Sequence, residues 1–316
     1  MAERIAVGVD IGGTKIEVAV TRRRDDGALD ELARRRFPTE RERGYDAVLA
    51  SSVAAIQRTA AEAGVDLGAV PVGVGMPGGI TRRGGLVKNS NTVCMNGRPF
   101  RQDLSAALGI GPVFDNDANC FALAEAWLGA AAPFRDGVVF GVIMGTGVGG
   151  GLVLGGRPWA GAQGIAGEWG HHAVWAGAAD ARACYCGQRG CLERYIAGPA
   201  LEEAYQARGG ARCSVSEIAA RRGEDADAAA VIEGLLETFG RALANVIDIL
   251  DPAVVVLGGG LSNLDLLYDE GRARVEHCVF NDELRTPIVR HALGDSAGVL
   301  GAALLAFDAQ AAGALA

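Results

Sequence analysis

The sequence predicts a mixed α/β protein built from two related halves. Three observations predict it. Two units, at residues 5–20 and 138–154, share the pattern of apolar strand, Gly-Thr-rich turn, apolar strand. Further apolar runs of strand length end in glycine. Helical stretches lie between them, and 316 residues suffice for two cores or one large α/β unit.

Residues 5–9 read as a strand ended by Asp10, with Ile-Gly-Gly-Thr-Lys at 11–15 and a second strand at 16–20. The glycine pair permits a tight turn whose bare amides can approach a phosphate. It is not a P-loop, which needs G-x4-G-K-[ST] before a helix. A carboxylate beside such a turn could hold a hydrated magnesium ion, although an ordinary hairpin would use the same glycines. Residues 44–64 read as a helix capped by Gly64. A buried strand at 70–74 runs into Gly-Met-Pro-Gly-Gly, which is either a ligand wall or a plain turn. Asparagines in the segment 88–92 suit the hydroxyls of a sugar, and they also suit turns. A helix is expected from about Asp103.

The next strand ends in Asp115-Asn116-Asp117, before a helix at 118–128. One such residue would serve as an N-cap; three in succession, with Asn119 behind, exceed capping, and a carboxylate here could take a proton from a hydroxyl. The second hairpin places strands at 138–144 and 151–154 around Gly-Thr-Gly-Val-Gly-Gly. The uncharged run 137–156 is long enough for a membrane span, but nine of its 20 residues are glycine. Two strands around a loop explain it better. Residues 199–249 are largely helical, and the last stretch, 231–250, has an apolar face at 232, 235, 236, 239, 243, 246, 247 and 250. A strand at 253–257 then enters Gly258-Gly259-Gly260, suited to packing a base or ribose, or to a sharp reversal. A helix at 293–303 is expected to return to the N-terminal domain.

Between the second hairpin and the helices lies Gly-Glu-Trp-Gly-His-His at 167–172, then Cys184, Cys186 and Cys191. Three thiolates and one imidazole form a closed tetrahedral set, which suits structural zinc better than a catalytic ion. His171 and His172 are both available as the fourth ligand. Seven cysteines, an odd number, argue against a disulfide framework, and the chain enters its first strand with no room for a leader. The net charge of −8 with no basic block gives a nucleic-acid role no support. A cytoplasmic protein without a membrane segment is expected.

Together these segments resemble the ROK family of repressors, open reading frames and sugar kinases, over nearly the whole chain. The resemblance implies the two-domain actin-like ATPase (ribonuclease H-like) fold. Residues 1–115 with about 293–316 would form the smaller domain, and 116–292 the larger one carrying the zinc loop. It implies ATP binding by Asp10, Gly12, Gly13, Thr14, Lys15, Gly145, Thr146, Gly147, Gly258, Gly259 and Gly260, with Mg2+. It implies a sugar held by Asn91, Asn116, Asp117, Glu168, His171 and Glu193, with Asp117 as catalytic base. Structural zinc would sit on His171, Cys184, Cys186 and Cys191, and a homodimer is implied. Within the family the chain is most similar to bacterial fructokinases that also accept mannose, through segments 88–91, 168–171, 184–186 and 257–265. Val93-Cys94 departs from that likeness, where a tryptophan is expected. Residues 115–123 and 145–151 also resemble N-acetylglucosamine kinases. The expectation is therefore phosphorylation of D-fructose and mannose to the 6-phosphate, with N-acetylglucosamine or glucose kinase as the alternative. A sugar-responsive repressor or sensor is disfavoured, since only nine residues precede Asp10 and leave no space for a helix-turn-helix.

Overall fold

The computed structural model describes residues 4–81, 83–175, 177 and 181–311. The first half carries β1 (Ile5–Ile11), β2 (Lys15–Arg23), β3 (Leu29–Pro38), α1 (Tyr45–Glu62) and β4 (Val72–Met76). A two-residue hairpin of β5 (Gly79–Ile80) and β6 (Val87–Lys88) precedes α2 (Phe100–Leu108) and β7 (Val113–Asn116). After α3 (Asp117–Leu128) come β8 (Val138–Met144), β9 (Val148–Leu154) and β10 (Arg157–Pro158). Then follow α4 (Glu193–Ile196), α5 (Gly198–Gln206), α6 (Val215–Arg221) and the long α7 (Ala226–Leu250). The chain closes with β11 (Val254–Gly258), α8 (Glu270–Cys278), β12 (Ile288–Arg290) and α9 (Ala297–Ala311).

The two five-stranded sheets follow one plan, in the orders β3-β2-β1-β4-β7 and β10-β9-β8-β11-β12. Each begins as an antiparallel meander, and two parallel strands then join the far side of the meander's first strand. The repetition expected from the two glycine hairpins is therefore a repetition of topology. In the first sheet Asp10 pairs with Gly75, and Gly75 with Asp115, so three strands end at one level. The carboxyl ends of parallel strands are where ligands bind in open α/β sheets. That edge is where the chain gathers its polar side chains.

Between the sheets lie α3 and α9, packed on each other. Helix α9 lies on β1 and β4, and α3 lies on β8 and β9. Glycine permits this closeness. A Cβ on Gly73 would come within 1.9 Å of the Ala302 carbonyl oxygen, and one on Gly301 within 1.8 Å of the Cys120 carbonyl oxygen. Helix α3 is buried on every side from Ala118 to Ala126, as expected of a helix with neighbours all round. Its one buried charge, Glu125, accepts amides from Ala130, Ala292 and Leu293 at 2.8–3.1 Å, fastening the segment that leads into α9.

The apolar face expected on α7 is the one it buries, with Leu235, Phe239 and Leu243 fully enclosed. Each such side chain contributes roughly 1.5–3 kcal/mol. Other boundaries moved. The final helix runs from Ala297 to Ala311, after a 3-10 turn at Gly294–Ser296, and not over 293–303. The glycine triplet leads into a 3-10 turn, Gly260–Asn263. Strand β3 went unread because Asp30, Glu31 and three arginines break its apolar pattern; Arg34 and Arg36 pair with the buried Glu17 of β2. Among the described residues no helix is long and apolar enough to cross a membrane.

The contact between α9 and the sheet yields a stability prediction. Gly73→Ala drives a methyl group into the Ala302 carbonyl and should cost about 3 kcal/mol or more, as overpacking against backbone does. Urea denaturation measures it; an unchanged midpoint would mean that α9 does not lie this close to β4.

Candidate functional site

A cavity of about 160 Å³ opens beside the carboxyl ends of β4 and β7. Asn91, Asn116, Asp117, Glu168, His171 and Glu193, far apart in sequence, all line it. Gly145, Thr146 and Gly147 of the second hairpin form part of its wall. Gly78, in the loop read as a ligand wall or a plain turn, and Asn89, in the asparagine segment, also line it, as does Tyr185, which sequence reasoning did not name. Tyr185 stands between two of the clustered cysteines, a signal that could have pointed to it.

Local structure fixes each group. The Asn116 Oδ1 caps α3 by accepting from the Ala118 amide at 2.8 Å, while its Nδ2 donates to the Gly78 carbonyl at 2.9 Å. The capping explanation for Asn116 thus holds alongside its place in the cavity wall. Asp117 is the first residue of α3, and its Oδ1 accepts from the Ala118 amide at 2.9 Å. Asp115, just behind, accepts from the Asn116 amide and the Asn119 side chain. Glu193 accepts from the Val148 amide at 2.9 Å, joining α4 to the second hairpin. Trp169 does likewise for the other side, donating its indole N–H to Gly149.

A second cavity, of about 310 Å³, lies on the other side of Asp117. Asp10, Gly12, Gly259 and Gly260 line it, with Asn263, His291, Asp295 and Gly298 beside them. Asp117 and Ile143 line both cavities, so the carboxylate stands where the two meet. Gly13 and Thr14 do not line it; they follow Gly12 in the β1–β2 turn, which the Gly12 amide closes on the Lys15 carbonyl at 2.9 Å. The Lys15 ammonium is drawn to Glu17 and Asp295, at 3.9 and 3.5 Å, so it does not line the cavity. Gly258 does not line it either. It is buried in β11, where a Cβ would meet the Phe121 ring at 2.4 Å, so packing explains this glycine.

Acid accumulates here with little cation to balance it. Burial, then the Asp117 and Glu17 carboxylates, push Asp10 up to about 7 against the pull of Lys15. Burial also raises Asp117 to about 6, opposed by the Ala118 N–H and assisted by Glu168. Burial lifts Asp115 and Glu168 above the ordinary carboxylate range as well. Oxygen ligands of this kind suit a hard divalent cation, which would relieve the repulsion between Asp10 and Asp117.

Next to the first cavity the cysteine loop converges. The ligand atoms of His171, Cys184, Cys186 and Cys191 all lie within 4.8 Å of one another. Cys184 Sγ is 3.7 Å from His171 Nδ1, and Cys186 Sγ is 3.5 Å from Cys191 Sγ. Tetrahedral zinc with bonds of about 2.0–2.3 Å sets its donors at such separations, so the group fits. Of the two histidines, His171 is the one in this group; His172 packs its ring on Trp169 and its Nε2 is buried without a partner. The far nitrogen of His171, Nε2, lies 3.0 Å from the Tyr185 hydroxyl at the cavity wall.

A third cavity, about 470 Å³, shares Gly78 and Asn116 with the first. Gly79, Ile80, Phe114, Ala160, Gly161 and Gly164 form its walls, with Thr81 and Arg101 as polar groups.

The model of the ROK family matches residues 6–309. An N-acetyl-D-glucosamine kinase of Pectobacterium atrosepticum is 39% identical over 94% of this chain and 97% of its own. The crystal structure of a ROK hexokinase from Thermus thermophilus superposes with a TM-score of 0.81 at 34% identity, covering 98% and 99% of the two chains. A ROK family glucokinase from Streptomyces griseus, solved with glucose and AMPPNP, gives 0.77 at 26% identity, covering 96% and 99%. These neighbours share the actin-like ATPase architecture that the family resemblance implies.

Proposed function

The chain belongs to the ROK family and is an ATP-dependent sugar kinase, and from that premise we propose that its acceptor is N-acetylglucosamine. The observation that carries this choice is the likeness, over nearly the full length of both chains, to an N-acetyl-D-glucosamine kinase. It favours the alternative over the fructose reading, which rested on short segments. An N-acetyl group needs room beyond the hexose ring. What supports a place for it is the 470 Å³ cavity, which shares Gly78 and Asn116 with the first.

In this reading the sugar occupies the 160 Å³ cavity and the ATP phosphates enter from the 310 Å³ one. Asp117, at their junction, takes the proton of the attacking hydroxyl. Its carboxylate is held by the Ala118 amide, so it is positioned before substrate arrives. Glu168 and Asn91 orient ring hydroxyls, and Glu193 braces the second glycine loop through Val148. The β1–β2 and β8–β9 turns offer backbone amides to the phosphates. Phosphoryl transfer asks mainly for such positioning and charge neutralisation. Asp10 would hold Mg2+, which neutralises phosphate charge when bound. His171, Cys184, Cys186 and Cys191 would hold structural zinc, which keeps His171 and the loop at the sugar cavity.

The acceptor is tested by kcat/KM on a panel of N-acetylglucosamine, glucose, mannose and fructose with Mg-ATP. N-acetylglucosamine should lead; a lead for fructose would restore the reading drawn from the short segments. Metal analysis of protein purified without chelator should find one zinc per chain. Cys191→Ser should lose it and weaken sugar binding more than nucleotide binding, because the loop borders only the sugar cavity. Zinc-free wild-type protein with full sugar affinity would remove the metal from this account.

A further inference from the structure

The phosphoryl group must pass from one cavity to the other, and one segment from each cavity's wall meets the other. Gly12 lines the nucleotide cavity and Asn91 the sugar cavity. Their successors, Gly13 and Thr92, come together. A Cβ built on Gly13 would lie 3.9 Å from the Thr92 Oγ1 and 2.9 Å from Nη1 of Arg41. The guanidinium and the hydroxyl therefore stand over the bare Cα of the first phosphate turn.

Neither group is spent on the fold. Arg41 comes from a 3-10 turn after β3 and pairs through Nε with its exposed neighbour Glu42 at 3.0 Å. Such a pair contributes little and leaves Nη1 available. The Thr92 hydroxyl is buried and has no hydrogen-bond partner among the described residues. An orphaned buried donor is costly unless a ligand completes it. The other cation near this turn, Lys15, is occupied by Glu17 and Asp295.

We propose that Arg41 and the Thr92 hydroxyl receive the phosphoryl group in transit, Arg41 as its charge-neutralising contact and Thr92 as a hydrogen-bond donor. This rests on the kinase reading above. In the step the bond from the γ-phosphorus to the bridging oxygen of ADP breaks, and its electron pair leaves with ADP. A bond from phosphorus to the sugar oxygen forms, and the hydroxyl proton passes to Asp117. The negative charge on the moving group's three oxygens faces a planar donor fork, which suits phosphate better than a point charge does. Gly13 is glycine, in this account, because any side chain would displace Arg41.

Steady-state kinetics of Arg41→Ala, Arg41→Lys and Thr92→Val test it, with calorimetric binding of N-acetylglucosamine and its 6-phosphate. Arg41→Ala should lower kcat about 10²-fold, the worth of one donor aimed at developing charge, with the KM for sugar little changed. Added guanidinium ion should restore part of the rate, and Arg41→Lys should keep only part of it. Thr92→Val should lower kcat about tenfold yet raise Tm, because it removes an unsatisfied buried group. The 6-phosphate should bind Arg41→Ala more weakly than wild type, and the free sugar equally well. Unchanged kcat and unchanged 6-phosphate affinity in Arg41→Ala would overturn the proposal while leaving the kinase reading intact. A wild type that phosphorylates no sugar would sink that reading, and the binding comparison would still judge Arg41.

Discussion

The close approach of α9 to its neighbours is the constraint on which the rest depends. Three glycines, Gly8 and Gly73 in the sheet and Gly301 in α9, let backbone meet backbone where side chains would normally intervene. The pair α3–α9 is thereby clamped between two sheets of one topology. Asp117 begins α3, and the carboxylate of Asp10 lies against the bare Cα of Gly298 near the start of α9. The polar ends of both helices thus face the edge where β1, β4 and β7 terminate. Packing in the interior decides where the chemistry sits at the surface.

That placement has an electrostatic cost. Asp10, Asp115, Asp117 and Glu168 share a recessed region, and desolvation is the largest cause of the upward shift in each. Groups whose folded pKa is raised favour the folded state below the unfolded value and lose that contribution as pH climbs through the folded value. For Asp10 and Asp117 the loss runs from the ordinary carboxylate range up to about 7 and about 6. At neutral pH the site's own negative charge therefore opposes folding, and a bound cation would relieve it. The same shift leaves Asp117 near the pKa that serves a general base.

Much of this was legible in the sequence. Strands ended by Gly-Thr turns, the Asp115–Asn119 run and the cysteine spacing each reported a local requirement of backbone or metal geometry. Periodicity located α7 because that helix buries one face, whereas β3 escaped because Glu17 meets arginines across it. What remained hidden depends on contacts across the chain. The roles of Gly258, against Phe121, and of Lys15, between Glu17 and Asp295, appear only after folding. So does the room beyond Gly78 and Asn116, whose walls come from residues 76–81, Gly85, Arg101 and 160–164 as well as β7. Short motifs around the sugar carried the family, while the choice of acceptor turns on walls that come from distant segments.

The central claim is that Asp117 serves as the base at the junction of the two cavities. The pH dependence of kcat/KM in the wild type and in Asp117→Asn tests it most directly. A base must be deprotonated to act, so the wild-type rate should rise with pH through an apparent pKa near 6. Asp117→Asn should fold, bind sugar, lose that inflection and turn over about 10²–10⁴-fold more slowly. A variant that keeps both the inflection and the rate would contradict the account.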